Sequence, residues 1–201
     1  MGASLSAQGR ARLVQNILGT TFAVPRYIAW GTGAGTTSPT DETVFNEVVA
    51  DGRTNGSISS VTSSTNGDTY QVTGTLTSLH GGTITNIGIF DSGATPYQTT
   101  LQVAVSSPTQ TSITVVNPGT GVVPATPFNI QVLSEVMTVT AITGNIWTVT
   151  RGVNQSSALS AIPLASVITT VSGTMFAKAD FAGLPLNTGD SVTFTIQVQF
   201  E

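Results

Sequence analysis

The chain has no cysteine and a single histidine, His80. Disulfide staples and thiolate metal sites are both excluded, so stability must come from sheet packing and assembly. Charge is almost as scarce. Asp, Glu, Lys and Arg make up 8% of the 201 residues, against roughly 25% in ordinary soluble domains. So few charges protect a lone molecule poorly against association. The composition therefore points to a surface that sits largely against neighbouring subunits, the alternative being a monomer covered by Thr, Ser, Asn and Gln. The six basic residues, Arg10, Arg12, Arg26, Arg53, Arg151 and Lys178, are scattered, and the formal net charge is −4. Both features argue against nucleic acid as a partner. No apolar run approaches the ~18 residues of a membrane helix. No secretory apolar segment opens the chain, because residues 1–19 are too polar and too interrupted.

What is present favours strands and turns. Thr is about one residue in six and Gly is 21 of 201, a poor composition for helices and for disorder alike. The clearest element closes the chain. In residues 191–200 (SVTFTIQVQF) Val192, Phe194, Ile196, Val198 and Phe200 fall on one face, with Ser, Thr and Gln on the other. This period of two predicts a half-buried antiparallel strand spanning roughly 33 Å. A strand of that length requires long partners and a second layer over its apolar face.

One helix is expected, over residues 6–18. Ser6 is a good N-cap, Leu13, Val14, Ile17 and Leu18 form a stripe, and Gly19 sits where a helix ends. The stripe packs either on the sheet or on a neighbouring subunit, which makes Leu13, Ile17 and Leu18 the candidate assembly residues. Residues 26–30 (RYIAW) read as the first strand. A short second helix is expected from Ser38, with Pro39 at its first position and Asp41 and Glu42 in its first turn. Asn66-Gly67 predicts a type I′ hairpin between 58–64 and 69–76, with a bulge near Ser59 or Ser60 because Ile58 and Val61 are out of phase. Another strand follows at 84–90 and stops at Asp91-Ser92-Gly93.

From about residue 96 the texture changes. Prolines cluster at 108, 118, 124 and 127, and short strand-like runs recur up to 171. Phe128, Met137 and Trp147 can anchor a separate small core there. Ser172-Gly173 and Asp91-Ser92-Gly93 can meet as two arms of one hairpin. The expectation is an outer module of 96–172 inserted at a hairpin tip, projecting away from the main sheet and touching it little.

YIAWGTGAGTTSPTDETVFNEV, NIGIFD, SGTMFAKADF and GDSVTFTIQVQF together resemble a family of tailed-bacteriophage virion proteins. FNIQVLSEVMTVTAITGNIWTVTRGVN resembles a small β module inserted in phage tail and capsid-surface proteins. The resemblance implies a compact β-sandwich headed by an N-terminal helix. It also implies a structural role, as a capsid decoration (cement) protein or as a neck, tail or fibre component.

Chemistry is sparse. Gly31, Gly33 and Gly35 follow a strand, but their spacing and the hairpins after them do not fit a dinucleotide fingerprint. His80 has no cysteine or acidic cluster for zinc, and no G-x-S-x-G elbow accompanies it. Asp41, Glu42, Asp180 and Asp190 read as caps of helices and turns. The opening residues Met1 to Ser6 fit a myristoylation pattern that small residues produce by chance. Arg151 beside Trp147 offers a sugar platform, against a plain core Trp with a surface Arg.

The sequence thus predicts an all-β protein. A jelly-roll-like antiparallel β-sandwich with an N-terminal helix takes residues 1–95 and 173–201, and 96–172 form an inserted small β-barrel or sandwich. The expected function is that of a non-enzymatic virion protein without cofactor or metal. It would be a homo-oligomer, a trimer by preference, bound to the major capsid protein or other virion proteins at the capsid surface, with neither nucleic acid nor membrane as partner. The alternatives are a tail, neck or fibre component that binds a receptor or glycan, and a hydrolase assembled from dispersed Ser, His and Asp.

Overall fold

The computed structural model describes residues 3–117 and 119–200. Met1 and Gly2 of the myristoylation pattern, and Pro118 of the proline cluster, lie outside them. In chain order the first elements are β1 (Ser4–Leu5), α1 (Ala7–Ile17), β2 (Tyr27–Gly31), β3 (Thr54–Asn55), β4 (Ser57–Val61), β5 (Thr69–Thr77) and β6 (Gly82–Phe90). Then come β7 (Gln98–Thr100), β8 (Ser112–Thr114), β9 (Phe128–Val132), β10 (Glu135–Thr143), β11 (Ile146–Thr150) and β12 (Val167–Thr170). The chain closes with β13 (Met175–Leu186) and β14 (Ser191–Gln199).

The protein is all-β, an antiparallel sandwich with an N-terminal helix. One layer is the sheet β1-β13-β6-β2-β3 and the other is β14-β5-β4. The alternation of the closing strand dictates the contact between them. β14 pairs with β5 without a shift from Ser191↔Thr77 to Gln199↔Thr69. Its apolar side faces Ile28, Trp30, Val72, Leu76, Ile87 and Phe176 in one core. Ile196 and Val198 are buried, Val192 and Phe194 half-buried, and Phe200 lies at the exposed end. On the other face, Thr75–Thr193 and Thr77–Ser191 hydroxyls meet at 2.7 Å and Gln197 donates to Gln71 at 2.8 Å. This outer face is an uncharged ladder open to solvent.

The third sheet, β7-β12-β9-β10-β11-β8, has its own core of residues between Tyr97 and Ile168. Its two ends meet through the Leu101↔Val115 bridge, with Gln102 N donating to Thr114 O at 2.8 Å and Val116 N to Thr100 O at 2.9 Å. Closure of this kind removes exposed edges and makes a small barrel. Met137 and Trp147 are buried in it, and Phe128 meets Trp147 edge-on at 5.7 Å. The chain leaves the sandwich after Phe90 and re-enters at Met175, directly opposite it. Asp91 N donates to Thr174 O at 3.1 Å and Thr174 N to Asp91 Oδ1 at 2.6 Å, so the two arms meet as expected.

Three local expectations fail for identifiable reasons. No helix follows Ser38. The single turn Ser38–Asp41 does not propagate, because the next backbone donors have other partners. Glu42 N and Thr43 N go to Gln131 Oε1 at 2.8 and 3.0 Å, and Phe45 N to Asn86 Oδ1 at 2.9 Å. The β4–β5 connection is a loop over 62–68 rather than a two-residue turn. Asp68 shapes it by accepting from Ser63 N, Ser64 N and Thr65 N at 2.9, 2.8 and 2.7 Å, which holds its carboxyl well below the usual range. No bulge interrupts β4. Ile58 opposes Val72 and Val61 stands on the other face opposite Thr69, so the odd phase needs no extra residue.

The barrel also fails to stand clear of the sandwich. Gln131, Asn129 and Asn154 bond the 41–43 segment, and Gln98 Nε2 donates to Glu47 O at 3.0 Å.

Candidate functional site

The expected assembly residues lie on α1, and the way that helix is seated decides which of them are free. Ser6 caps it, accepting from Gly9 N at 2.9 Å, while Ser6 N donates to Phe176 O at 3.0 Å. The helix then touches β13 through Gly9, where a Cβ would stand 2.3 Å from Phe176 O. Only a residue without a side chain permits that approach. Leu13 is half-buried against the sandwich core. Val14, Ile17 and Leu18 are 57%, 85% and 78% exposed. The stripe therefore splits, with one leucine packed on the sheet and three large apolar side chains in water.

The segment after α1 extends this face. Val24 and Phe200 are exposed beside it. A groove of about 240 Å³ runs between helix and sheet, lined by Leu13, Asn16, Phe22, Val24, Tyr70 and Phe176. Arg12 closes one end, 3.1 Å from Asp91 and with its guanidinium carbon 4.0 Å from the centre of the Phe22 ring.

A second cluster, its charged groups buried, lies where loop 38–47, β13, α1 and the barrel meet. Lys178 Nζ donates to Asp41 Oδ2 at 2.9 Å, and both side chains are essentially inaccessible. Glu42 accepts from the amides of Gln8, Asn129 and Asn154, one from the helix and two from the barrel. Glu47 holds Arg53 by two bonds of 2.8 and 2.9 Å, and Arg53 Nη1 donates to Ser92 O and Ser172 O at the junction. Asp41 and Glu42 are thus not helix caps but the anchors of a polar hub. The side chains that answer them are more than 80 positions away in sequence, apart from Gln8, and only the backbone N of Ser38 bonds the Asp41 carboxylate locally.

Burial pushes the Glu42 carboxyl above its ordinary value of 4.5, against the opposing pull of its three amide donors. The folded state then holds this proton more tightly than the unfolded state does. Stability is expected to fall as pH rises from about 4.5 through the folded value, because the anion must then be buried. Chemical denaturation at a series of pH values checks this, and Glu42→Gln should remove that part of the slope.

The remaining candidates take structural places. Gly33 and Gly35 lie under Phe45, where Cβ atoms would come within 2.7 and 2.3 Å of its side chain. His80 is exposed with Nδ1 4.0 Å from Asp51, whose carboxylate already accepts from Trp30 Nε1 and Leu79 N at 2.9 Å. Asp190 closes the β13–β14 turn by accepting from Asn187 N at 2.7 Å. Trp147 is buried between Tyr97 and Phe128 and offers no platform. Arg151 is not a surface residue. It lies buried against Glu135 in a two-bond pair of 2.6 and 2.7 Å. Among the described residues no group of three His, Cys, Asp or Glu is placed to hold a metal, and no helix is long and apolar enough to cross a membrane.

No protein-family model, curated protein or solved structure matches the chain.

Proposed function

We propose that this chain is a structural assembly protein, a homo-oligomer whose subunits meet through the exposed face of α1. In keeping with the sequence resemblance, its place is the virion of a tailed phage, as a decoration (cement) protein on the major capsid protein. One observation carries the assembly reading. Val14, Ile17 and Leu18 stand in water on a helix that a glycine contact and an N-cap fasten to the sheet at its first turn. A contiguous apolar face of this kind marks a contact surface more often than an idle one. The uncharged hydroxyl ladder of the β14–β5 face adds a second flat surface that little charge protects. Function here is geometry, with apolar and Thr-rich area buried across subunit joints.

Light scattering should give the mass of a trimer for the wild-type protein. Ile17→Asp with Leu18→Asp should give a monomer with unchanged β-type circular dichroism and stability within about 0.5 kcal/mol, since these side chains touch no core. A wild-type chain that stays monomeric at micromolar concentration overturns the reading. Antibody labelling of particles tests the virion placement separately, with capsid-surface label expected and label confined to the tail against it.

A further inference from the structure

Three ion pairs are buried among the described residues, and one differs from the other two. Arg53 and Arg151 each grip a glutamate with two N–H donors and turn others to backbone carbonyls. Lys178 has three N–H bonds to place. Among the described residues its Nζ reaches a single acceptor, Asp41 Oδ2 at 2.9 Å, and its other side faces the Phe45 ring. A buried ammonium with one acceptor is costly, and neutralisation is the usual escape. Moving one proton from Nζ to Asp41 leaves a neutral amine against a carboxylic acid. Burial favours that neutral amine by lowering the pKa of Lys178.

The carboxyl of Asp41 is held for attack. Ser38 N donates to Oδ2 at 2.9 Å and Gln131 Nε2 to Oδ1 at 3.3 Å, two donors able to steady negative charge on its oxygens. A third carboxyl stands nearby. Asp180 lies two residues along β13, and its negative charge is felt at Lys178. Its Oδ2 accepts from Thr37 N, whereas its Oδ1 is buried with no hydrogen-bond partner among the described residues.

We propose that Lys178 and Asp41 condense into an intramolecular amide, a covalent stitch between β13 and loop 38–47. After the proton has moved to Asp41, the lone pair of Nζ attacks Cγ and the N–C bond forms. Oδ2, which has taken the proton, stays bonded by Ser38 N, and Gln131 Nε2 holds the oxyanion that develops on Oδ1. The surplus proton on nitrogen passes, by way of Asp180 Oδ1, to the hydroxyl on Cγ. The C–O bond then breaks and water leaves. An ammonium and a carboxylate become an amide and one water, so no oxidant, reductant or co-reactant is required. The stitch closes the chain across 137 positions and so encloses the whole barrel.

Tryptic mapping of the denatured full-length protein tests this directly. Cleavage at Arg26 and Arg53 releases 27–53 with Asp41, and cleavage at Arg151 releases the stretch that carries Lys178. The expected product is 27–53 joined to 152–201, lighter than the sum of the two by one water, with no cleavage after Lys178. Lys178→Met, which keeps the packing and removes the amine, should yield the separate linear peptides. Asp180→Asn should show linked and unlinked forms together in freshly made protein. A wild-type digest that contains free 27–53 and 152–178 at full mass overturns the proposal. Linkage at the wild-type rate in Asp180→Asn overturns the relay assigned to that carboxyl. The result does not depend on the assembly reading, which the oligomer mass decides.

Discussion

Glu135→Ala is expected to cost about 3–5 kcal/mol, the range for breaking a buried ion pair by removing one partner. The carboxylate of Glu135 is inaccessible and answers four donors at once. Arg151 supplies two, Gly152 N a third at 3.1 Å and Leu159 N a fourth at 2.9 Å. Truncation leaves a guanidinium buried without its counter-charge and two backbone N–H groups without acceptors, each a penalty of its own. Arg151 also binds the carbonyls of Ser107, Gln110 and Leu159, so two loops at one end of the barrel lose their common anchor. For a chain of this size about 2–4 °C of melting temperature goes with each kcal/mol, so a fall on the order of 10 °C is expected in a thermal melt. Glu135→Met combined with Arg151→Leu should recover much of the loss, since an apolar pair needs no counter-charge. A single-variant cost under 1 kcal/mol would mean that water reaches the pair.

The features that a reader of the sequence can find are those written within a few neighbouring residues. The alternation of 191–199 fixed which side of β14 meets the core, because period two admits only two faces and one of them is apolar. Ser6 and Gly19 framed α1 correctly. The N-cap accepts from Gly9 N, and Gly19 takes a φ of 87°, which favours glycine. The meeting of Asp91 with Thr174 was legible because turn residues stood at both arms. The helix expected at Ser38 was not, although its capping pattern is sound. Its backbone donors belong to Gln131 and Asn86, and nothing near residue 42 announces an acceptor some ninety residues away.

The polar hub was missed for the same reason, yet one sign of it was in plain view. In MFAKADF a lysine sits inside a strand otherwise composed of Met, Phe and Ala up to Asp180, and all of residues 175–179 are buried. A cation in such a run requires a carboxylate at its end. Only Asp41, Glu42 and a few other acids were available to supply one in a chain with 10 acidic residues. For the candidate assembly face, the stripe was legible but its division was not. Leu13 is half-buried and Ile17, one turn further along the same face, is exposed, a division that no hydrophobic pattern encodes.

Gln131→Ala is expected to uncouple barrel from sandwich. The side chain of Gln131 leaves β9 and enters the 38–47 loop, where all its polar capacity is used. Oε1 accepts from Glu42 N and Thr43 N at 2.8 and 3.0 Å, and Nε2 donates to Asp41 Oδ1 at 3.3 Å and to Leu133 O at 2.9 Å. Truncation therefore orphans two buried N–H groups and withdraws a donor from the buried Oδ1 of Asp41. At about 1–3 kcal/mol for each unsatisfied group, and without simple additivity, the loss should reach about 3–5 kcal/mol. The cores on either side are separate, one drawn from residues 97–168 and the other from the sandwich strands, and neither loses an apolar contact. Calorimetry should accordingly show more than a shift. The wild-type protein should melt in one transition, and Gln131→Ala in two, with the barrel and the sandwich unfolding apart. Gln131→Glu keeps both acceptor bonds but sets a second acceptor against Asp41 Oδ1. It should retain a single transition at low pH, where the introduced carboxyl is protonated and can donate, and split as pH rises and that proton is lost. A single, unshifted transition in Gln131→Ala would show that Asn129, Asn154 and Gln98 hold the two regions together without it.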